Sequence, residues 1–202
     1  YLGVNKIGEN NVIYSIDDAG NKYQLTGLET NSWRPRRNTQ VRKIAFIRSS
    51  GGQNHIYTMN EDGSGVTKIT NSVPINGFNS DFVGFSWNAS GSEIIYPSFD
   101  KLYKINNNGS GLTQIYKTPT GKFISECDWS NDGTKIALKV NDVSGYNVEI
   151  YIIDTSGNVL NQVLSGYKGA ASGLNFSVTG QKLLYSRDVS EYENQNYRRL
   201  DS

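Results

Sequence analysis

Short apolar runs and polar turns alternate along the whole chain, in two recurring phrases. The first is an aromatic residue, a turn containing Gly, and an apolar triplet. It occurs as Trp87…Gly91…Ile94-Ile95-Tyr96, Trp129…Gly133…Ile136-Ala137-Leu138 and Phe176…Gly180…Leu183-Leu184-Tyr185. A weaker copy ends in Ile44-Ala45-Phe46, preceded by Trp33 at a longer spacing. The second phrase is Ile/Leu-Tyr, two more strand residues, and a polar turn ending in Gly. It occurs as Ile13-Tyr14-Ser15-Ile16-Asp17 with Gly20, Ile56-Tyr57-Thr58-Met59-Asn60 with Gly63, Leu102-Tyr103-Lys104-Ile105-Asn106 with Gly109, and Ile150-Tyr151-Ile152-Ile153-Asp154 with Gly157. Leu200-Asp201 resembles the start of a fifth copy.

These glycines lie 43, 46 and 48 residues apart. Each phrase predicts a β-hairpin. Alternation in Ile56-Tyr57-Thr58-Met59 puts successive side chains on opposite faces of a strand. The turn that follows is rich in Asn, Asp and Gly, which supply the backbone conformations a tight turn needs. The apolar triplet predicts a strand buried on both faces. Two hairpins make a four-stranded unit, strands A to D, of about 45 residues, which is the period of a β-propeller blade. The predicted fold class is therefore all-β, with about four to four and a half four-stranded antiparallel blades. One propeller domain spans 1–202, with a partial blade at 1–31, full blades at 32–71, 81–118 and 124–165, and a partial blade at 172–202.

Two segments carry a family resemblance. Ile44-Ala45-Phe46…Ile56-Tyr57-Thr58-Met59-Asn60-Glu61-Asp62-Gly63-Ser64…Ile69-Thr70 and Trp129-Ser130-Asn131-Asp132-Gly133-Thr134-Lys135-Ile136-Ala137 resemble the blade signature of TolB-like propellers, periplasmic relatives of the WD40 repeats. The family's turn proline is replaced here by Asn88-Ala89, Asn131 or Val178, and the WD40 Gly-His and Trp-Asp dipeptides are absent. The resemblance implies a propeller of six or more blades, of which this chain would be a part. Two other closures are open: a four-bladed ring in which the last A–B pair joins the first C–D pair, or a second chain supplying the missing blades. It also implies a periplasmic or cell-envelope setting, with any lipoprotein anchor outside this chain, and a protein partner, possible envelope proteins included.

Composition removes several functions. The chain has 202 residues, a formal net charge of +1, one His and one Cys. A single His excludes His-pair metal motifs, and a single Cys excludes disulfide frameworks and Cys-based zinc sites. No run approaches the about 18 apolar residues of a membrane span, and the near-zero charge gives no reason to expect nucleic acid. The 23 Asn and 21 Gly belong to the turns.

Candidate chemistry is sparse. Asn60–Gly65 and Asn106–Gly111 lack the spacing and terminal Glu of a calcium loop, so they read as hairpin turns. His55, just before Ile56, reads as a surface or turn residue. Cys127, without a nearby base, reads as a small core residue. No Gly-x-Ser-x-Gly elbow occurs. No catalytic residue, metal or cofactor is therefore expected. The densest cationic stretch, Trp33, Arg34, Arg36 and Arg37, could take carboxylates or phosphates, or sit in a solvated D–A connection. The other predicted D–A connections each carry an aromatic residue and a charge: Phe78 with Asp81, Phe123 with Glu126, and Tyr167 with Lys168. Loops on a rigid scaffold are common recognition sites. The expected function is a non-catalytic protein-interaction scaffold of the cell envelope. The alternatives are a carbohydrate-binding propeller, and a propeller lyase or hydrolase whose catalytic residues lie outside this chain.

Overall fold

The triplets Ile44-Ala45-Phe46, Ile94-Ile95-Tyr96 and Ile136-Ala137-Leu138 become second strands covered on both faces by neighbouring sheets, whereas Leu184 of the last triplet is exposed. The computed structural model describes residues 1–8, 10–76, 84–144, 147–169 and 171–187. Among the described residues there is no helix, and the strands form five antiparallel sheets. The first sheet holds β1 (Leu2–Ile7), β2 (Asn10–Ile16) and β3 (Lys22–Gln24). The second holds β4 (Ser32–Asn38), β5 (Lys43–Ser50), β6 (Gln53–Asn60) and β7 (Thr67–Lys68). The third holds β8 (Ser86–Trp87), β9 (Glu93–Ser98), β10 (Lys101–Asn106) and β11 (Thr113–Lys117). The fourth holds β12 (Lys122–Trp129), β13 (Lys135–Asp142), β14 (Asn147–Asp154) and β15 (Val159–Lys168). The fifth holds β16 (Ala171–Phe176) and β17 (Leu183–Arg187). Each sheet is a meander, so strands adjacent in sequence are paired.

The hydrophobic core lies between sheets rather than inside one. Ala45, Ile47, Ile56 and Ile69 of the second sheet pack on Phe85, Trp87, Ile94 and Tyr96 of the third. Ile95 and Leu102 on the other face of the third sheet pack on Ile124, Trp129, Ile136 and Leu138 of the fourth. Stacking is therefore what buries each unit, as in a propeller or solenoid. The C–D turns also dock on the preceding sheet. Gly63 and Gly109 have φ of 87° and 85°, and a Cβ on either would sit 3.0 Å from the carbonyl oxygen of Leu25 or Ile69. Glycine is needed there both for the backbone conformation and for the close approach.

The register identifies the partial first sheet. Ile13 N–H donates to Thr26 Oγ1 at 2.9 Å, and Ile56 N–H donates to Thr70 Oγ1 at 2.9 Å. Thus β2 and β3 are strands C and D, and β1 is strand B. Among the described residues, no strand takes the A position of this sheet. The last sheet supplies an A–B pair, but it cannot complete the first sheet's C–D pair, because β1 already occupies that edge of β2.

Three local expectations change. His55 is not a surface residue: it is 3% exposed, within β6, with Nδ1 2.7 Å from Thr70 O. Trp33 to Arg37 is not a connection but β4, the A strand of its blade. The residues placed in two other connections are also strand residues. Phe123 pairs with Asn141 and Glu126 with Lys139, while Tyr167 and Lys168 pair with Val148 and Asn147. Ladder bonds depend on the backbone, so pairing continues past the apolar residues that made the strands recognisable. Cys127 is buried in β12, as expected.

Candidate functional site

Strand pairing aligns the A strands residue by residue. Arg37 faces Ile44, Trp87 faces Ile94, Trp129 faces Ile136 and Phe176 faces Leu183. The position taken by Trp, Trp and Phe in three sheets is therefore Arg37 in the second, not Trp33. One residue earlier stand Arg36, Ser86, Asp128 and Asn175. These four line one cavity of 480 Å³ where the A strands run side by side.

Hydrogen bonds tie these strands together across the sheet boundaries. Ser86 Oγ donates to Asp128 Oδ1 at 2.9 Å, and Phe176 N–H donates to Asp128 Oδ2 at 2.7 Å. Trp129 N–H donates to Ser86 Oγ at 3.2 Å, and Trp87 Nε1–H donates to Arg36 O at 3.0 Å. Burial pushes the Asp128 carboxyl up; the Phe176 N–H, the Ser86 hydroxyl and the Arg36 guanidinium oppose that shift. Arg36 is exposed, and its side chain makes no hydrogen bond or ion pair to any described residue. The cavity thus presents a guanidinium that makes no hydrogen bond to a described residue, near an Asp128 carboxylate that is already bonded to two strands.

Deeper along β12, Glu126 forms a second strut. Its Oε1 accepts from Lys139 Nζ at 2.5 Å, and its Oε2 accepts from Leu174 N–H at 3.1 Å. Lys139 Nζ also donates to Ala171 O at 2.7 Å, and its side chain is 8% exposed. Both groups are committed to holding the fifth sheet on the fourth. The Cys127 thiol is buried beside them, and burial raises its pKa well above the ordinary value.

The other residues expected at a site are scattered. Arg37 pairs with Glu61 at 2.7 Å on the rim of the same cavity. Arg34, with φ of 52°, lies where the register of β4 shifts, and β-bulges of this kind re-aim side chains. Trp33 lies toward the opposite end of β4. Phe123 is half-buried at the start of β12, and Tyr167 is buried under the guanidinium of Arg187, 5.1 Å from its ring centroid. Lys168 is exposed at the end of β15. Phe78 and Asp81 lie outside the described residues. Ser86, Asp128, Asn131 and Asn175 were missed by sequence reasoning. The signal that could have found them is their common register, one residue before the aromatic position, or just after it for Asn131.

No family model matches this chain, and no curated protein matches it. The solved structures do. TolB from Acinetobacter baumannii is matched with a TM-score of 0.61 at 15% identity, over 87% of this chain and 42% of that one. The chain has the TolB-like β-propeller fold. A propeller in the crystal structure of the nidogen/laminin complex matches with a TM-score of 0.65 at 12% identity, over 92% of this chain and 69% of that one. Oligogalacturonate lyase in complex with manganese matches with a TM-score of 0.59 at 11% identity, over 87% of this chain and 50% of that one. The chain thus spans less than half the length of the Acinetobacter TolB. At these identities the likeness concerns the TolB-like fold alone. Among the described residues no group of three His, Cys, Asp or Glu side chains could hold a metal, and no helix is long and apolar enough to cross a membrane.

Proposed function

We propose that this chain is a non-catalytic recognition module, whose A-strand cavity takes an acidic segment of a protein partner. The observation that carries the reading is Arg36. Its guanidinium is exposed, opens on the cavity and has no carboxylate of a described residue hydrogen-bonded to it, and the lining also carries the carboxamides of Asn38, Asn88, Asn131 and Asn175, with the Asp128 carboxylate held by two strands. A guanidinium can clasp a carboxylate with two parallel bonds, which fixes orientation as well as adding attraction.

Fold likeness does not separate a binding module from an enzyme, because the similar structures include a lyase. The support comes from the side chains. Asp128 and Glu126 each bond backbone N–H groups of the adjacent sheet, Cys127 is held as a thiol, and His55 is buried in another sheet. Groups with acid–base or nucleophilic potential are thus occupied in holding strands together. The likeness to a propeller solved in a complex of nidogen with laminin supports a protein as the partner, and the likeness to TolB supports a periplasmic or envelope setting.

The test is photo-crosslinking from position 131, at the cavity rim, in envelope extracts, with wild type and Arg36→Ser side by side. The reading expects one discrete protein adduct that the substitution removes. A chelator-sensitive cleavage of polysaccharide by the purified chain, with metal found by elemental analysis, would contradict the non-catalytic reading.

A further inference from the structure

The opposite end of β4 carries a different cavity. It measures 500 Å³, within the usual range of small-molecule sites, and is lined by residues of the first sheet, the second sheet and the segment leading to the third. Its lining includes Trp33, Asn11, Asn31, Asn54 and Asn76, and no ionised side chain among the described residues. About four residues of extended strand separate Trp33 from Arg37, roughly 13 Å, so this cavity is distinct from the one Arg36 serves.

Its polar groups are only partly satisfied. Asn31 Oδ1 accepts from Asn11 N–H at 3.0 Å and from Asn11 Nδ2 at 2.9 Å. That fixes both amides and leaves Asn31 Nδ2 and Asn11 Oδ1 without a described protein partner. The side chains of Asn54 and Asn76 make no hydrogen bond to any described residue, although their backbones are tied into the fold. Trp33 packs against the core between the second and third sheets and also lines this cavity. Its indole N–H has no described acceptor. Half-buried donors and acceptors gain most from a partner that meets them without charge.

We infer that this cavity is a binding site for a neutral sugar. A pyranose presents a face of C–H groups that suits an indole, and a rim of hydroxyls that both donate and accept. Carboxamides do both as well, which Lys, Arg, Asp and Glu side chains do not. The indole and the carboxamides carry no charge to offset that of a uronate, phosphate or amine, whose desolvation they would leave uncompensated. The four carboxamides come from four chain segments: the start of β2, the residue before β4, the start of β6, and the segment leading to the third sheet. Hydroxyls around one ring could therefore be met from several directions.

The inference does not rest on the Arg36 reading, and its test separates the two. Cellotriose, chitotriose and maltotriose are titrated calorimetrically into the wild-type chain, with a triuronide as the charged control. At least one neutral trisaccharide is expected to bind saturably. Asn54→Ala and Trp33→Leu are each expected to weaken it about tenfold or more, through loss of a hydrogen-bonding group or of the stacking surface. Arg36→Ser is expected to leave it unchanged. Asn54 carries no side-chain bond to the protein, so its variant keeps the fold, as a matching melting curve would confirm. The inference is overturned if none of the three sugars binds at millimolar concentration, if Asn54→Ala binds as tightly as wild type, or if the triuronide binds best.

Discussion

Asp128 reaches out of the fourth sheet and accepts the backbone N–H of Phe176, in the fifth, at 2.7 Å. A carboxylate thereby does between blades what a ladder hydrogen bond does within one. Its second oxygen takes the hydroxyl of Ser86 from the third sheet, so one side chain joins three consecutive A strands.

Replacing Asp128 by Ala leaves the Phe176 N–H without its acceptor and the Ser86 hydroxyl with only the longer bond to Trp87 O, at 3.3 Å. An unsatisfied buried polar group costs about 1–3 kcal/mol. Urea unfolding of Asp128→Ala should show a loss in that range, and Asp128→Asn, which keeps an acceptor oxygen, a smaller one. Equal stability of the alanine variant and wild type would mean that the strands hold together without this bond.

The Lys139–Glu126 pair makes a different prediction. Lys139→Met should destabilise strongly, by about 3 kcal/mol, because it leaves a carboxylate without its cation in a poorly solvated place. Adding Glu126→Gln to that variant should recover much of the loss, since the amide oxygen can still accept from Leu174 N–H and no charge remains. If the double variant is as unstable as the single one, lost packing rather than unpaired charge is the cause.

His55 predicts a pH dependence. Burial holds its imidazole below its ordinary value of 6.5, Thr70 O partly offsets this, and the nearby charge of Lys68 adds to it. The folded state favours the neutral ring, so the unfolded chain binds the proton more readily. The contribution is complete above pH 6.5 and drains away as the pH falls from there through the lower native value. Unfolding midpoints measured from pH 7.5 downward should decline over this window in wild type, and His55→Gln should flatten that decline. The exposed Asp132 carboxyl, held down to about 2 by the Ser130 hydroxyl and by Thr134, acts only in much stronger acid.

The blades were legible in the sequence because their signals are local. Ile94-Ile95-Tyr96 had to be buried on both faces, and Asn60-Glu61-Asp62-Gly63 had to turn. The A strands were not legible in the same way. Lys122, Phe123 and Ser125 carry no apolar pattern, yet they belong to β12 because β13 offers a ladder for them to complete. The cavity between the A strands was hidden for a related reason. Trp33 looked like the counterpart of Trp87 by residue type, but pairing gives that place to Arg37, and a bulge at Arg34 and Pro35 hides the offset. His55 was misread because the hydrogen bond that makes its burial tolerable comes from Thr70, on the far side of a hairpin.

The proposed recognition site is Arg36, in the cavity between the A strands. It is tested most directly by measuring the affinity of the crosslinked partner, once purified, for wild type, Arg36→Ser and Lys168→Ser at low and moderate salt. Loss of a charge-assisted bond predicts a weakening of about tenfold or more for Arg36→Ser, together with a shallower salt dependence, and no change for Lys168→Ser. Equal affinity of wild type and Arg36→Ser, or equal losses in both variants, would contradict it.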